Sequence, residues 1–347
     1  MRIAVDARAA AEVPAGRGRY VRELLRAFAA LPDDHEYVLL TRAPWADPAL
    51  DERFRWRAIR LPDPAWSLAA AAAARGADAV LATNSYLLAA AAPARAVATV
   101  HDLVAFDREL RLPAGSAAER LTLPLAVRRG QTLLCVSEAT RAALVDRFAR
   151  AAPLAHVVPH GVEARFFAEA PEQPYILMTG TLEPRKNIVR ALEAAAGLPA
   201  EIRERFELRL AGPRGWGTDP IDAALARYGS SAHHLGLVPD AELPELYAGA
   251  TLFLYPSLRE GFGLPVLEAM AAGTAVVTSN VSSLPEVGGD AVRYVDPYDV
   301  GSIGAGVEEL LSDDARRASL AAAGRERARS FTWERTARET LALLSAR

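Results

Sequence analysis

The stretch Arg259-Glu260-Gly261-Phe262-Gly263-Leu264-Pro265-Val266-Leu267-Glu268 sets two carboxylates around a pair of glycines and a proline. Carboxylates accept hydrogen bonds from vicinal hydroxyls, and each charged bond of this kind is worth about 1.5–3 kcal/mol. The chemistry on offer is a grip on a sugar or a ribose. Gly261 and Gly263 would let the backbone approach a ligand and aim free N–H groups at it. The same residues also read as a capped helix with two solvated glutamates, and spacing alone leaves both readings open.

A second stretch, Gly180-Thr181-Leu182-Glu183-Pro184-Arg185-Lys186-Asn187, offers the complementary charge. Arg185 and Lys186 fall near the start of a helix expected from Ile188 to Ala196. That end of a helix favours anions, so two cations there are in conflict with it. A bound phosphate or diphosphate would resolve the conflict; a surface basic pair is the alternative. Lys186 is the only lysine in the sequence. A compact ammonium with rotatable donors suits a diphosphate oxygen.

Both stretches follow apolar runs. Thr251–Tyr255 precedes the first and Tyr175–Met178 the second, each expected to be a buried parallel strand. Pro265 is expected at the first position of a helix, where its missing N–H costs nothing. The pattern is strand, loop, helix twice over. It extends along the chain, with strands expected at residues 2–6, 36–41, 55–59, 79–82, 96–100, 132–136 and 155–158. A second series is expected at 175–179, 207–211, 233–236, 251–255, 275–278 and 291–294. Helices lie between them, which predicts α/β doubly wound parallel sheets with ligands at the C-terminal strand ends.

At such ends lie Pro14-Ala15-Gly16-Arg17-Gly18, opening a helix, and Val100-His101-Asp102. The first reads as a ligand loop or as a turn with a helix cap. A neutral imidazole at a strand end can hydrogen-bond a sugar hydroxyl or a backbone carbonyl. Ser137 and Thr332 are expected to cap helices. Residues 103–130 carry Arg108, Arg111, Arg120, Arg128 and Arg129 beside Leu110, Leu112, Leu121, Leu123 and Leu125. Such a face meets an anionic membrane surface or is simply solvated.

These stretches together resemble the family-4 retaining glycosyltransferases of GT-B fold. Glu260 and Glu268 match that family's pair of glutamates, and Arg185 and Lys186 match its diphosphate-binding cations. The resemblance implies two Rossmann-like domains facing a cleft. The first is the acceptor-side domain (residues 1–170), joined by a hinge (171–174) to a nucleotide-sugar-binding domain (175–330). A last helix (331–347) crosses back to the first domain. It further implies His101, Arg185, Lys186 and Glu260 as catalytic residues. Gly16, Gly18, Gly180, Thr181, Val238, Phe262, Gly263, Leu264 and Glu268 are implied as donor-binding residues. In that scheme Glu268 holds the ribose, Glu260 the transferred sugar and backbone near Val238 the base. The donor's own phosphate takes the acceptor's proton, so no protein nucleophile, metal or cofactor is required. The wording of residues 180–187 is most similar to bacterial mannosyltransferases of surface polysaccharide assembly. It implies GDP-mannose as donor and a glycan or lipid-linked acceptor, with a UDP-sugar as the alternative. A nucleotide-sugar epimerase and a non-catalytic nucleotide-sugar-binding subunit are the rival readings.

Composition is consistent with this. The 347 residues are 51% hydrophobic and 24% charged, enough for two buried cores, and the formal net charge of −3 gives no sign of a nucleic-acid partner. The single cysteine, Cys135, lies in an apolar run and reads as a buried thiol in a reducing compartment. No run approaches the roughly 18 apolar residues that span a bilayer. The expectation is a cytoplasmic protein, with peripheral contact at the inner membrane face as an option.

Overall fold

A computed structural model of the protein describes residues 1–13, 16–107, 116–228 and 232–346. The chain divides into two compact units. One comprises Met1–Asp107, Ala114–Gly161 and Thr332–Arg347, and the other includes Val162–Phe331.

The first unit is built on seven parallel strands: β1 (Arg2–Asp6), β2 (Glu36–Thr41), β3 (Phe54–Ala58), β4 (Ala79–Ala82), β5 (Arg95–Val100), β6 (Thr132–Cys135) and β7 (Ala155–Val157). Their order is β3-β2-β1-β4-β5-β6-β7, so the order in which strands are added reverses between β1 and β4. The central strands are short apolar runs buried throughout, as a sheet covered on both faces demands. Edge strand β3 instead exposes Arg55 and Arg57, charges that discourage pairing with another chain. Trp66, Leu88, Leu123, Leu133 and Leu144 close the core over one face.

The second unit carries six parallel strands: β8 (Gln173–Thr179), β9 (Glu207–Ala211), β10 (Ala232–Gly236), β11 (Ala250–Tyr255), β12 (Ala275–Ser279) and β13 (Arg293–Val295). The order is β10-β9-β8-β11-β12-β13, and the order of strand addition reverses between β8 and β11. In open α/β sheets ligands bind at that crevice. The two stretches singled out in the sequence are the loops that leave β8 and β11.

The differences from the sequence reading are local. A short helix, Arg8–Glu12, follows β1 before the Gly16 loop. The chain passes to the second unit after Gly161, earlier than residue 170, because Phe166 is buried against Tyr247 with ring centroids 5.7 Å apart. Residues 171–174 are not a free linker. The Gln173 N–H donates to the Gly249 carbonyl at 2.8 Å, and β8 already begins there. Pro265 takes the second rather than the first position of the helix Leu264–Ala271, behind the cap Gly263. Ser137 and Thr332 cap their helices by accepting from Thr140 N at 3.0 Å and Arg335 N at 3.2 Å. Cys135 is buried, and burial pushes its thiol up to about 12.

Candidate active site

The loop after β8 makes a single 3-10 turn, Pro184–Lys186, and then Asn187 turns left-handed (φ 59°) before the helix Ile188–Ala196. Arg185 and Lys186 therefore sit in a turn ahead of the helix, not on it. Asn187 fixes the turn. It is 4% exposed, and its amide donates to the Pro256 carbonyl at 2.9 Å and the Pro297 carbonyl at 2.7 Å. Leu258 N donates to the Arg185 carbonyl at 2.9 Å, so the β8 and β11 loops are laced together across the switch point.

Glu260 meets both cations there. Its Oε2 accepts from Arg185 Nη1 at 2.6 Å and its Oε1 from Lys186 Nζ at 2.7 Å. The Tyr255 hydroxyl donates to the same Oε1 at 2.9 Å and accepts from Lys186 Nζ. Lys186 also lies over the Tyr255 ring, 4.7 Å from its centroid. Burial opposes ionisation of Glu260, but Arg185 and Lys186 outweigh it and hold the carboxyl down to about 2. Burial and the Arg185 charge lower Lys186, against the pull of Glu260. The conflict read from the sequence, two cations near a helix start that favours anions, is settled here by acidic side chains of the chain itself.

The Glu260 turn is held from beneath by the loop after β12. Ser282 Oγ accepts from Glu260 N at 3.0 Å, and Ser283 Oγ donates to the Phe262 carbonyl at 2.7 Å. The Phe262 ring is buried against Phe331, which leaves only its backbone for a ligand. Gly263 has φ 112°, a conformation that side chains rarely adopt, and a Cβ there would lie 2.9 Å from Leu284 Cδ2. This position needs glycine on both counts. Leu264 follows as the first helical residue.

Glu268 is one turn further on and 3% exposed. It accepts from the Tyr247 hydroxyl at 2.8 Å, and Tyr247 in turn meets Thr179 Oγ1 at 2.7 Å at the end of β8. Gly180 follows Thr179 and borders a cavity of about 10 Å3, room for one water, together with Lys186 and Tyr255. Thr181 is half-buried beside Gly215. Val238 is half-buried in the loop after β10, next to Leu237, which is 60% exposed.

His101, Gly16 and Gly18 belong to the first unit. His101 Nε2 lies 2.9 Å from the Thr83 carbonyl, so that nitrogen carries the proton and Nδ1 is the acceptor. Burial and the Arg17 charge pull the imidazole down to about 3. It is neutral at physiological pH and suited to accept a hydroxyl hydrogen bond. Gly16 caps the helix Arg17–Ala30. Gly18 is required by packing: a Cβ there would lie 1.7 Å from the Val13 carbonyl oxygen. Arg17, at the helix start, donates to Glu119 Oε1 at 2.9 Å and to Asn84 Oδ1 at 3.2 Å.

The structure thus brings Arg185, Lys186 and Glu260 into direct contact, and joins Glu268 to the β8 end through Tyr247. Sequence reasoning missed Tyr255, Tyr247 and Glu183. The first two hydroxyls end strand or helix runs that read simply as apolar. Glu183, two residues before Arg185, carried a signal in its spacing that went unused.

Two parallel α/β sheets with a charged crevice at the switch point define the GT-B class of architecture. Two family models divide the chain between them: Glycosyltransferase Family 4 over residues 14–166, and Glycosyl transferases group 1 over 163–327. The chain belongs to the family-4 glycosyltransferases. It is 48% identical over 171 residues to the O-antigen chain mannosyltransferase B of Escherichia coli, covering 49% of this chain and 45% of that one. It is 33% identical over 272 residues to the MMP alpha-(1->4)-mannosyltransferase of Mycolicibacterium hassiacum, covering 71% of this chain and 64% of that one. The alignments span less than half the length of the first of these curated relatives, and 20% of the Serotype-specific mannosyltransferase WbdA of Escherichia coli. Among solved structures, a sucrose-phosphate synthase from Thermosynechococcus elongatus superposes with a TM-score of 0.82 at 22% identity, over 99% of this chain and 98% of that one. HepE of Anabaena, in complex with UDP and glucose, superposes with a TM-score of 0.81 at 18% identity, over 99% of both chains.

Proposed function

We propose that this chain is a retaining mannosyltransferase that uses GDP-mannose to extend a glycan or lipid-linked acceptor. The observation that carries the reading is the convergence of Arg185, Lys186 and Glu260 at the β8–β11 switch point. Mannose as the sugar is supported by the names of the relatives, and a UDP-sugar is the alternative donor. Arg185 and Lys186 neutralise the diphosphate as it leaves, stabilisation aimed at developing charge. Glu260 binds hydroxyls of the transferred sugar, with the N–H groups of Phe262, Gly263 and Leu264 at the helix start. Glu268 holds the ribose, Gly180 and Thr181 flank the diphosphate, and the backbone near Val238 takes the base. The Nδ1 of His101 is suited to accept from a hydroxyl, and Gly16 and Gly18 shape a helix start in the same unit. The cations come from side chains, so the scheme uses no metal and no cofactor.

Glu260 occupies the cations that the diphosphate needs. Donor binding is therefore an exchange: the diphosphate takes Arg185 and Lys186, and the released carboxylate turns to the sugar. No partner nucleic acid enters the scheme. On the helix Ser116–Arg128, Leu121 is 71% and Leu125 41% exposed, beside exposed Arg128 and Arg129. That face supports contact with an anionic lipid surface, on the cytoplasmic side of an inner membrane. Arg108, Leu110, Arg111 and Leu112, read with it in the sequence, lie outside the described residues. Among the described residues no helix is long and apolar enough to cross a membrane.

The test is nucleotide release from a panel of GDP-, UDP- and ADP-sugars, with and without mannose-terminated oligosaccharides. Release from GDP-mannose that depends on the oligosaccharide supports the proposal. Preference for a UDP-sugar moves it to the alternative donor, and binding without turnover leaves the non-catalytic reading.

A further inference from the structure

Glu183 has no place in the scheme above, yet it is half of the mounting of Arg185. Its Oε1 accepts from Arg185 Nε at 2.9 Å and also pairs with Nη2 at 2.5 Å. Its Oε2 accepts from the Trp216 indole N–H at 3.0 Å. The Glu183 side chain is 12% exposed and that of Arg185 18%, so these contacts form in a largely desolvated setting. There charge-assisted bonds are strong and the fork geometry of guanidinium and carboxylate is directional.

Trp216 is itself held in place. It lies in the loop after β9, which is bonded to the β8 loop by Leu182 N to the Pro213 carbonyl at 2.9 Å and Gly215 N to the Leu182 carbonyl at 3.0 Å. A chain of donors and acceptors then runs Trp216, Glu183, Arg185, Glu260. The guanidinium presents Nε and Nη2 to Glu183, and Nη1 to Glu260 and to the Arg259 carbonyl at 2.9 Å. Only the Nη1 side faces the carboxylate that the donor must displace.

We propose that Glu183, braced by Trp216, is a positioning residue that holds the Arg185 guanidinium in the orientation that meets the leaving diphosphate. This deepens the reading of Arg185 given above and rests on it. Glu183 has two effects of opposite sign. Its charge offsets one cation, so it weakens attraction for diphosphate in the ground state. Its geometry fixes where the remaining positive charge stands, which matters when charge develops on the leaving group. Removing the carboxylate charge should leave donor KM unchanged or lower it, while kcat falls. Loss of structural integrity would instead raise KM and lower the melting temperature.

The experiment measures kcat, KM and thermal melting for Glu183→Gln, Trp216→Phe and the double variant, with Arg185→Ala as reference. The probe is whichever nucleotide-sugar the parent turns over fastest in the panel. An amide presents its oxygen to only one of these two donors and turns its NH2 toward the other, so Glu183→Gln should lower kcat about 10–100-fold, the scale of a small misplacement of a catalytic group. Trp216→Phe keeps the carboxylate and its charge but removes the brace, and should lower kcat about 3–10-fold with KM within about twofold. The double variant should lose no more than Glu183→Gln alone, because the two residues act through one contact. If Arg185→Ala cripples turnover while both single variants keep the parental kcat, the positioning role is overturned. Losses that simply multiply in the double variant, or a raised KM with a lowered melting temperature, overturn it too. If Arg185→Ala itself turns over normally, the underlying reading of Arg185 fails instead.

Discussion

Glu260→Gln should bind free GDP more tightly than the parent while losing transfer. The carboxylate is a built-in competitor: it holds Arg185 at 2.6 Å and Lys186 at 2.7 Å. A diphosphate must displace at least one of these charged bonds, each worth about 1.5–3 kcal/mol. GDP has no mannose to repay the released carboxylate. Taking one bond as the net cost, its removal should tighten GDP binding about tenfold to hundredfold. Lys186 opposes this gain. Its ammonium is already destabilised by burial and by Arg185, and Glu260 is what favours the charged form. In the variant the proton is held less well, so the gain should be larger at pH 6 than at pH 8. The free variant should also melt earlier, since two poorly solvated cations lose their shared anion, a loss on the order of 3–5 kcal/mol. Saturating GDP should restore more stability to the variant than to the parent. Titration calorimetry with GDP, read beside turnover of GDP-mannose, makes the test. If Glu260→Gln is folded and binds GDP no better than the parent at pH 6, Glu260 does not compete with the diphosphate and the exchange picture is wrong.

Other expectations follow from the same geometry. Lys186→Arg should lose activity strongly, because Lys186 is buried and its Nζ meets Glu260 Oε1 and the Tyr255 hydroxyl as a compact point charge, an arrangement that the larger planar guanidinium does not reproduce; equal turnover of GDP-mannose would show that any cation serves. Tyr247→Phe removes the hydroxyl that joins Glu268 to Thr179, and should raise donor KM by about fivefold, one hydrogen bond's worth, with kcat little changed. His101 is held neutral and pulled down to about 3, so below its ordinary value of 6.5 the unfolded chain binds the proton first. Stability should therefore fall as pH drops from about 6.5 toward 3, and His101→Gln should flatten that part of a melting-temperature profile. Glu260 adds a second, lower window: its stabilisation is complete above its ordinary 4.5 and is lost as pH falls toward about 2. Vesicle flotation that shows no preference of the parent for anionic lipid, or a preference unchanged in Leu121→Ser, would remove the membrane contact.

Much of the fold was legible because parallel strands buried on both faces are short apolar runs with glycine-bearing or charged punctuation. β1, β2, β4 and β9 coincide with their expected ranges, and the rest shift by a residue or two at the ends. Capping at Ser137 and Thr332 was readable for the same reason, since the signal is local. The unit boundary was less so. Pro171 and Pro174 suggest a hinge, but it is the burial of Phe166 against Tyr247, a contact distant in sequence, that assigns residues 162–170 to the second unit. The site shows the same limit. Residue types and order pointed to Arg185, Lys186, Glu260 and Glu268, yet nothing in the sequence says that Glu260 pairs with both cations. That fact depends on β8 and β11 being neighbours and on Asn187 tying their loops together. Tyr255 and Tyr247 stayed hidden because a tyrosine inside an apolar run counts first as core, and only tertiary placement aims its hydroxyl.

The most direct test is a crystal structure with GDP-mannose, or a non-transferable analogue, bound. The account predicts diphosphate oxygens within hydrogen-bonding distance of Arg185 and Lys186, with the Glu260 carboxylate turned away from both and set against hydroxyls of the mannose. A donor bound elsewhere, or bound while Glu260 still bridges the two cations, would contradict it.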